Sequence, residues 1–109
     1  MSTQAQFDKA VAIVKGLPED GPVTPTDDEK LAFYAHFKQA NEGDNNTPAP
    51  GLFSFVGKAK HGAWKNLAGM SKEDAQAKYV ELLREMLTKS NDESSKKYLA
   101  ELDAAGAQA

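Results

Sequence analysis

An all-α bundle is the fold class this sequence predicts, and three observations carry that expectation. Apolar residues recur at three- and four-residue spacing in four segments, no segment alternates apolar and polar residues long enough to make a strand, and the connections are rich in proline, glycine and asparagine. A chain of 109 residues has the length of one domain with one modest core. Apolar residues make up 40% and charged residues 27%, which suits a soluble globular protein and is too hydrophobic for intrinsic disorder.

The first helix is read from Phe7, Ala10, Val11, Val14 and Leu17, starting after Thr3 and Gln6, which have capping-box spacing, and stopping before Pro18. "LPEDGPVTPT" then packs prolines and a glycine into a loop. A second helix opens at Thr26, with Glu29 reaching back to close a capping box. Leu31, Phe33, Tyr34 and Phe37 give it a wide apolar face, and it ends near Gly43. Residues 43–51, "GDNNTPAPG", are turn chemistry throughout and form an ordered loop.

Phe55, Ala59, Ala63, Trp64 and Leu67 predict a third, shorter helix, weakened by Gly57 and Gly62, each costing about 1 kcal/mol relative to alanine, and ended by Gly69. Ser71 and Asp74 have capping spacing before the longest apolar stripe, Ala75, Tyr79, Leu82, Leu83, Met86 and Leu87. Ser90 and Glu93 repeat that spacing, and Tyr98, Leu99 and Leu102 make a short fifth helix before the small-residue tail "AAGAQA". The domain is read as residues 1–89, with 90–109 a C-terminal extension, helical or partly disordered. Two of the connections are longer than a helical hairpin needs, so at least one helix crosses the bundle.

The net charge of -3 and the pI near 5.3 give no general attraction to nucleic acid or anionic lipid, so an anion site must be a local cluster of bases. Cysteine is absent, which excludes disulfide and thiolate chemistry and fits a reducing compartment. The amino terminus lacks a basic stretch followed by an apolar run, and nothing approaches the roughly 20 apolar residues of a membrane span. The expected location is therefore the cytoplasm, without stable membrane insertion. Two histidines, His36 and His61, are a thin ligand set for a metal, and there is no G-x-S-x-G elbow and no G-K-[ST] phosphate loop. Neither catalysis nor a cofactor is expected.

Lysines and tyrosines beside the apolar stripes remain. Tyr34 and Lys38 are one helical turn apart, where a ring and an ammonium can meet a stacked base and a phosphate together. The plainer reading makes Tyr34 core and Lys38 a solvated charge. Lys58 and Lys60 lie early in the third helix, and Tyr79 on the main stripe, where spacing alone says core.

Four stretches in register change this balance: "FDKAVAIVK", "FYAHFKQANEGDNNTPAPG", "GKAKHGAW" and "GMSKEDAQAKYVELL". Together, over residues 5 to 88, they resemble the acyl-CoA-binding protein family. The resemblance implies an up-down-down-up four-helix bundle with one long overhand connection. It also implies non-covalent binding of medium- to long-chain fatty acyl-CoA by a monomeric carrier and buffer, supplied and emptied by acyl-CoA-producing and -consuming enzymes. Carried over by position, Tyr34 meets the adenine and its ribose phosphate, Lys38 and Lys60 hold the 3'-phosphate, Lys15 lies near the nucleotide, and Tyr79 is a fourth-helix tyrosine at the site. Met70 or Leu52 is a candidate wall for the acyl chain. His61 stands in place of a tryptophan, Val56 and Thr24 in place of lysines, and Phe37 in place of a tyrosine. The rival reading is a helical adaptor whose groove takes a partner peptide.

Overall fold

A computed structural model describes residues 3–18, 21–51 and 54–107. Five helices occupy them: α1 (Thr3–Gly16), α2 (Asp27–Glu42), α3 (Phe55–Lys65), α4 (Lys72–Ser90) and α5 (Glu93–Ala107), with no strand among the described residues.

Side-chain pairs fix the directions. Gln76 Nε2 donates to Gln4 Oε1 at 2.6 Å, and three residues further along both helices the Tyr79 ring meets Phe7 edge-on at 5.3 Å, so α1 and α4 run parallel. Phe33 also meets Tyr79, at 5.1 Å, while Gln39, six residues on, donates to the carbonyl of Met70, just before α4 begins; α2 and α4 are antiparallel. The α2 residues Tyr34 and Lys38 face Lys60 and Trp64 in the same order, which makes α2 and α3 parallel. The arrangement is the up-down-down-up bundle that the family resemblance implies. Two consecutive parallel helices require an overhand link between Glu42 and Phe55.

The core forms where α1, α2, α4 and α5 converge on Phe7, Ala10, Phe33, Tyr79, Leu83 and Leu102. Leu83, Leu87 and Leu102 are fully buried, each contributing about 1.5–3 kcal/mol by leaving water. By contrast, α3 packs against α2 alone. Its predicted apolar stripe is therefore not a core face: Trp64 is buried, but Phe55 is 75% exposed.

Local signals at the helix ends divide into those the structure follows and those it replaces. Thr26 caps α2 through the predicted reciprocal box with Glu29, at 3.1 and 2.8 Å. Gly43 closes α2 at φ 81°, a left-handed value that its lack of a Cβ permits. Ser71 accepts from the Asp74 amide at the start of α4. The box expected from Thr3 and Gln6 is absent: Thr3 is already helical, and Gln6 Nε2 donates instead to the Leu102 carbonyl at 3.1 Å.

The fifth helix is the main departure. Far from short, it spans 15 residues and takes in residues 104–107 of the small-residue segment. It returns antiparallel to α1, with Lys9 and Glu101 paired at 3.4 Å, and Gly106 lets the Gln6 amide pass where a Cβ would meet it at 2.4 Å. Its start is organised by Asp92, not by the Ser90–Glu93 pair. Asp92 accepts from the Ser95 and Ser90 hydroxyls, which hold its carboxyl down at about 2, and also from the Ser94 amide. A carboxylate with a depressed folded value stabilises the fold above its unfolded value near 3.9 and loses that contribution as pH falls toward 2. Asp92→Ala is therefore expected to lower the melting temperature at pH 7 and to flatten its pH dependence between 4 and 2. Melting scans at pH 2, 3, 4 and 7 check this; an unchanged slope would contradict it.

Candidate ligand site

Parallel packing of α2 on α3 sets residues four apart on one helix opposite residues four apart on the other. Lys38 Nζ lies 5.0 Å from the centre of the Trp64 ring, and one turn back Lys60 Nζ lies 5.3 Å from the centre of Tyr34. Both distances fall within the roughly 6 Å at which a ring quadrupole attracts a cation. Two ammonium groups are thus fixed on aromatic platforms at one pole of the bundle.

The platforms are themselves anchored. Trp64 Nε1 donates to the Gly43 carbonyl at 2.8 Å, tying α3 to the end of α2. Asp44 accepts from Gln39 Nε2 and from the Gly69 amide, each at 2.9 Å, and these bonds pull its carboxyl below the usual range. Gln39 is fully buried, and its Oε1 is the one buried side-chain polar atom without a partner among the described residues. His61 holds the overhand link. Its Nε2 lies 3.0 Å from the Thr47 carbonyl, and Asn45 Nδ2 returns a bond to the His61 carbonyl at 3.0 Å. A carbonyl only accepts, so this geometry assigns a hydrogen to His61 Nε2. The histidine at the tryptophan position is therefore a loop fastener.

Lys38 also forms an ion pair with Glu42, whose hydrogen bond raises the ammonium above its ordinary value. An anion approaching Lys38 must compete with that carboxylate, whereas Lys60 has no carboxylate partner among the described residues.

Beside Lys60 opens a cavity of about 520 Å³ between the first half of α2 and the start of α3. Leu31, Phe55, Val56 and Ala59 form its apolar walls, and Asp27, Lys30 and Lys60 its polar edge. In the sequence Leu31, Phe55 and Ala59 belong to helical apolar faces, and their spacing is the same for a core stripe and for a groove. A larger concavity of about 700 Å³ lies between α2 and α4, but the carboxylates Asp28, Glu29 and Glu85 outnumber its bases, Lys89 and an Arg84 held by Asp103 at 2.8 Å. That charge pattern disfavours an anion, so the smaller cavity, continuous with Lys60, is the better site.

Of the five residues singled out by resemblance, the structure brings Tyr34, Lys38 and Lys60 together. Lys15 is exposed in the last turn of α1, with no ion pair or ring contact joining it to the other three. Tyr79 sits in the core, 3% exposed, between Phe7 and Phe33, and burial pushes its hydroxyl up to about 12. Met70 packs against the core cluster, and Leu52 lies outside the described residues. No group of three metal-ligating side chains occurs among the described residues, and none of their helices is long and apolar enough to cross a membrane.

Fold and site together define a small all-α bundle with a cationic, ring-lined pole opening onto an apolar slot. The chain belongs to the acyl-CoA-binding protein family: the family model described as "Acyl CoA binding protein" matches residues 4–83. A crystal structure of ACBP from Moniliophthora perniciosa is 59% identical, covers 95% of this chain and 97% of that one, and superposes with a TM-score of 0.92. Acyl-CoA-binding protein homolog 3 of Caenorhabditis elegans is 45% identical over 93 residues, 85% of this chain and 80% of that protein. A longer relative, acyl-CoA-binding domain-containing protein 5-B of Danio rerio, is 45% identical over 80 residues, only 20% of its own length.

Proposed function

We propose that this protein binds fatty acyl-CoA thioesters of medium to long chain non-covalently and acts as a cytoplasmic carrier and buffer for them. The observation that carries the reading is Lys60: its ammonium lies over Tyr34 while its side chain lines the apolar cavity, so a phosphate contact and a tail contact adjoin. The ligand combines a polyanionic nucleotide with an aliphatic chain, and the two halves of this site match those demands. Adenine would stack at Tyr34, the 3'-phosphate would take charge-assisted hydrogen bonds from Lys60 and Lys38, and the chain would enter the slot. Lys15 would approach the nucleotide from α1. Tyr79 would act through its ring on Phe33, the residue preceding Tyr34.

Residues 1–89 constitute the binding unit in this reading, with 90–109 an extension whose helix α5 packs on α1 and α4. The protein would work as a monomer, exchanging ligand with enzymes that make and use acyl-CoA. Sequestration would keep a detergent-like thioester out of membranes and away from hydrolysis, with no chemistry performed on it.

Titration calorimetry with dodecanoyl-CoA tests the reading. Lys60→Ala is expected to weaken binding by about tenfold and to reduce its salt dependence, and Lys38→Ala by less, because Glu42 already engages that ammonium. Native mass spectrometry of the purified protein distinguishes the adaptor: a bound peptide and no mass corresponding to an acyl-CoA would overturn the carrier.

A further inference from the structure

Beyond the two cation–ring pairs, the same helix register has a third rung. On α2, Lys30, Tyr34 and Lys38 follow at four-residue intervals; on α3, Val56, Lys60 and Trp64 do the same. The observed pairs are Lys38 with Trp64 and Tyr34 with Lys60. One turn further back the register sets Lys30 opposite Val56, and both line the 520 Å³ cavity. Each rung is about 6 Å from the next, four residues at the helical rise.

The third rung differs from the others in what occupies its cation. Lys38 has Trp64 and Glu42, and Lys60 has Tyr34, whereas Lys30 is exposed with neither ring nor ion-pair partner among the described residues. Asp27, one turn before it, lines the same cavity, and the ion pairs among the described residues do not include one between them. Val56 brings no charge from α3, so Lys30 is the cation this level of the site offers. A ligand laid along the ladder with its terminal phosphate at Lys38 and Lys60 and its base at Tyr34 extends past Lys30 next. In a coenzyme A ester the anionic group that follows the adenosine is the diphosphate bridge.

We infer that Lys30 is a ligand-binding residue that engages the diphosphate of the bound thioester, separately from the 3'-phosphate contact of Lys38 and Lys60. The inference rests on the acyl-CoA reading above and adds a residue and a ligand atom group to it. It makes recognition of the head group bipartite: removal of the 3'-phosphate leaves the contribution of Lys30 intact.

Three ligands of equal chain length separate the contacts: dodecanoyl-CoA, dodecanoyl-dephospho-CoA, which lacks the 3'-phosphate, and dodecanoyl-pantetheine, which lacks every phosphate. Lys30→Ala is expected to weaken the first two by the same factor, about fivefold, and to leave the third unchanged, while Lys30→Arg retains wild-type affinity. Lys58→Ala removes an equal charge from an exposed position outside the cavity and is expected to change binding less than about twofold. The assignment is overturned if Lys30→Ala binds dodecanoyl-CoA like wild type, if its penalty persists on dodecanoyl-pantetheine, or if Lys58→Ala loses as much. A wild-type protein that binds none of the three overturns the acyl-CoA reading itself, and this assignment with it.

Discussion

Extending the acyl chain of a titrated thioester from eight to twelve carbons is expected to tighten binding by about one to two orders of magnitude. Four methylenes fully removed from water contribute about 3 kcal/mol, and half-burial about half of that. The slot between α2 and α3 offers Leu31, Phe55, Val56 and Ala59 as walls, and Phe55 and Val56 are 75% and 68% exposed. Side chains so exposed contribute little to the fold and leave most of their apolar surface available to a ligand. Phe55→Ser should therefore reduce the affinity gained per methylene while leaving the unfolding midpoint nearly unchanged. Calorimetry with octanoyl-, decanoyl- and dodecanoyl-CoA checks both statements. A flat series in the wild type would show that the tail stays in water, and an unaltered slope in Phe55→Ser would place it on another surface.

Much of the scaffold was legible in the sequence because its signals are local. The Thr26–Glu29 box, the Gly43 stop and the Ser71 cap each involve groups within a few residues of one another, so spacing alone fixes them. The length of the fifth helix was not legible, for the complementary reason. Ala104, Ala105 and Gly106 have the composition of a fraying tail, yet small side chains are what the close approach of α5 to α1 requires, and the partner, Gln6, lies at the other end of the chain. Composition near a terminus does not reveal a docking surface that is remote in sequence.

The site shows the same division. Tyr34 and Lys38 share a helix face by periodicity, but nothing within α2 shows that each has its partner on α3, or that Lys30 continues the series. Those relations depend on a parallel α2/α3 register that only tertiary packing sets. Trp64 belongs to the apolar spacing that predicts the third helix and is buried, while its ring face and Nε1 also hold Lys38 and the Gly43 carbonyl. Helical spacing cannot distinguish a residue that fills space from one that fills space and positions a cation.

Tyr79 puts that distinction to a quantitative test. Its ring is packed by Phe7 and Phe33 at 5.3 and 5.1 Å, so Tyr79→Ala should cost about 3–5 kcal/mol of stability as the cavity it leaves fails to close. Tyr79→Phe keeps the ring and should change the affinity for dodecanoyl-CoA by less than about twofold, since the ring alone supports Phe33 and, through it, the turn that carries Tyr34. The hydroxyl has a separate signature. Burial raises it to about 12 from an ordinary value near 10, so the folded state keeps the proton that the unfolded chain releases first. Its contribution to stability is therefore complete below pH 10 and disappears as pH rises to 12, an upper-end loss of about 2–3 kcal/mol that Tyr79→Phe cannot suffer. Urea unfolding of both proteins at pH 8 and pH 11.5 isolates this loss, because lysine titration is common to the two. The phenylalanine variant should gain on the wild type at the higher pH. An equal difference at both pH values would mean that the phenol ionises as readily folded as unfolded. A tenfold affinity loss in Tyr79→Phe at pH 7 would make the hydroxyl itself a ligand contact.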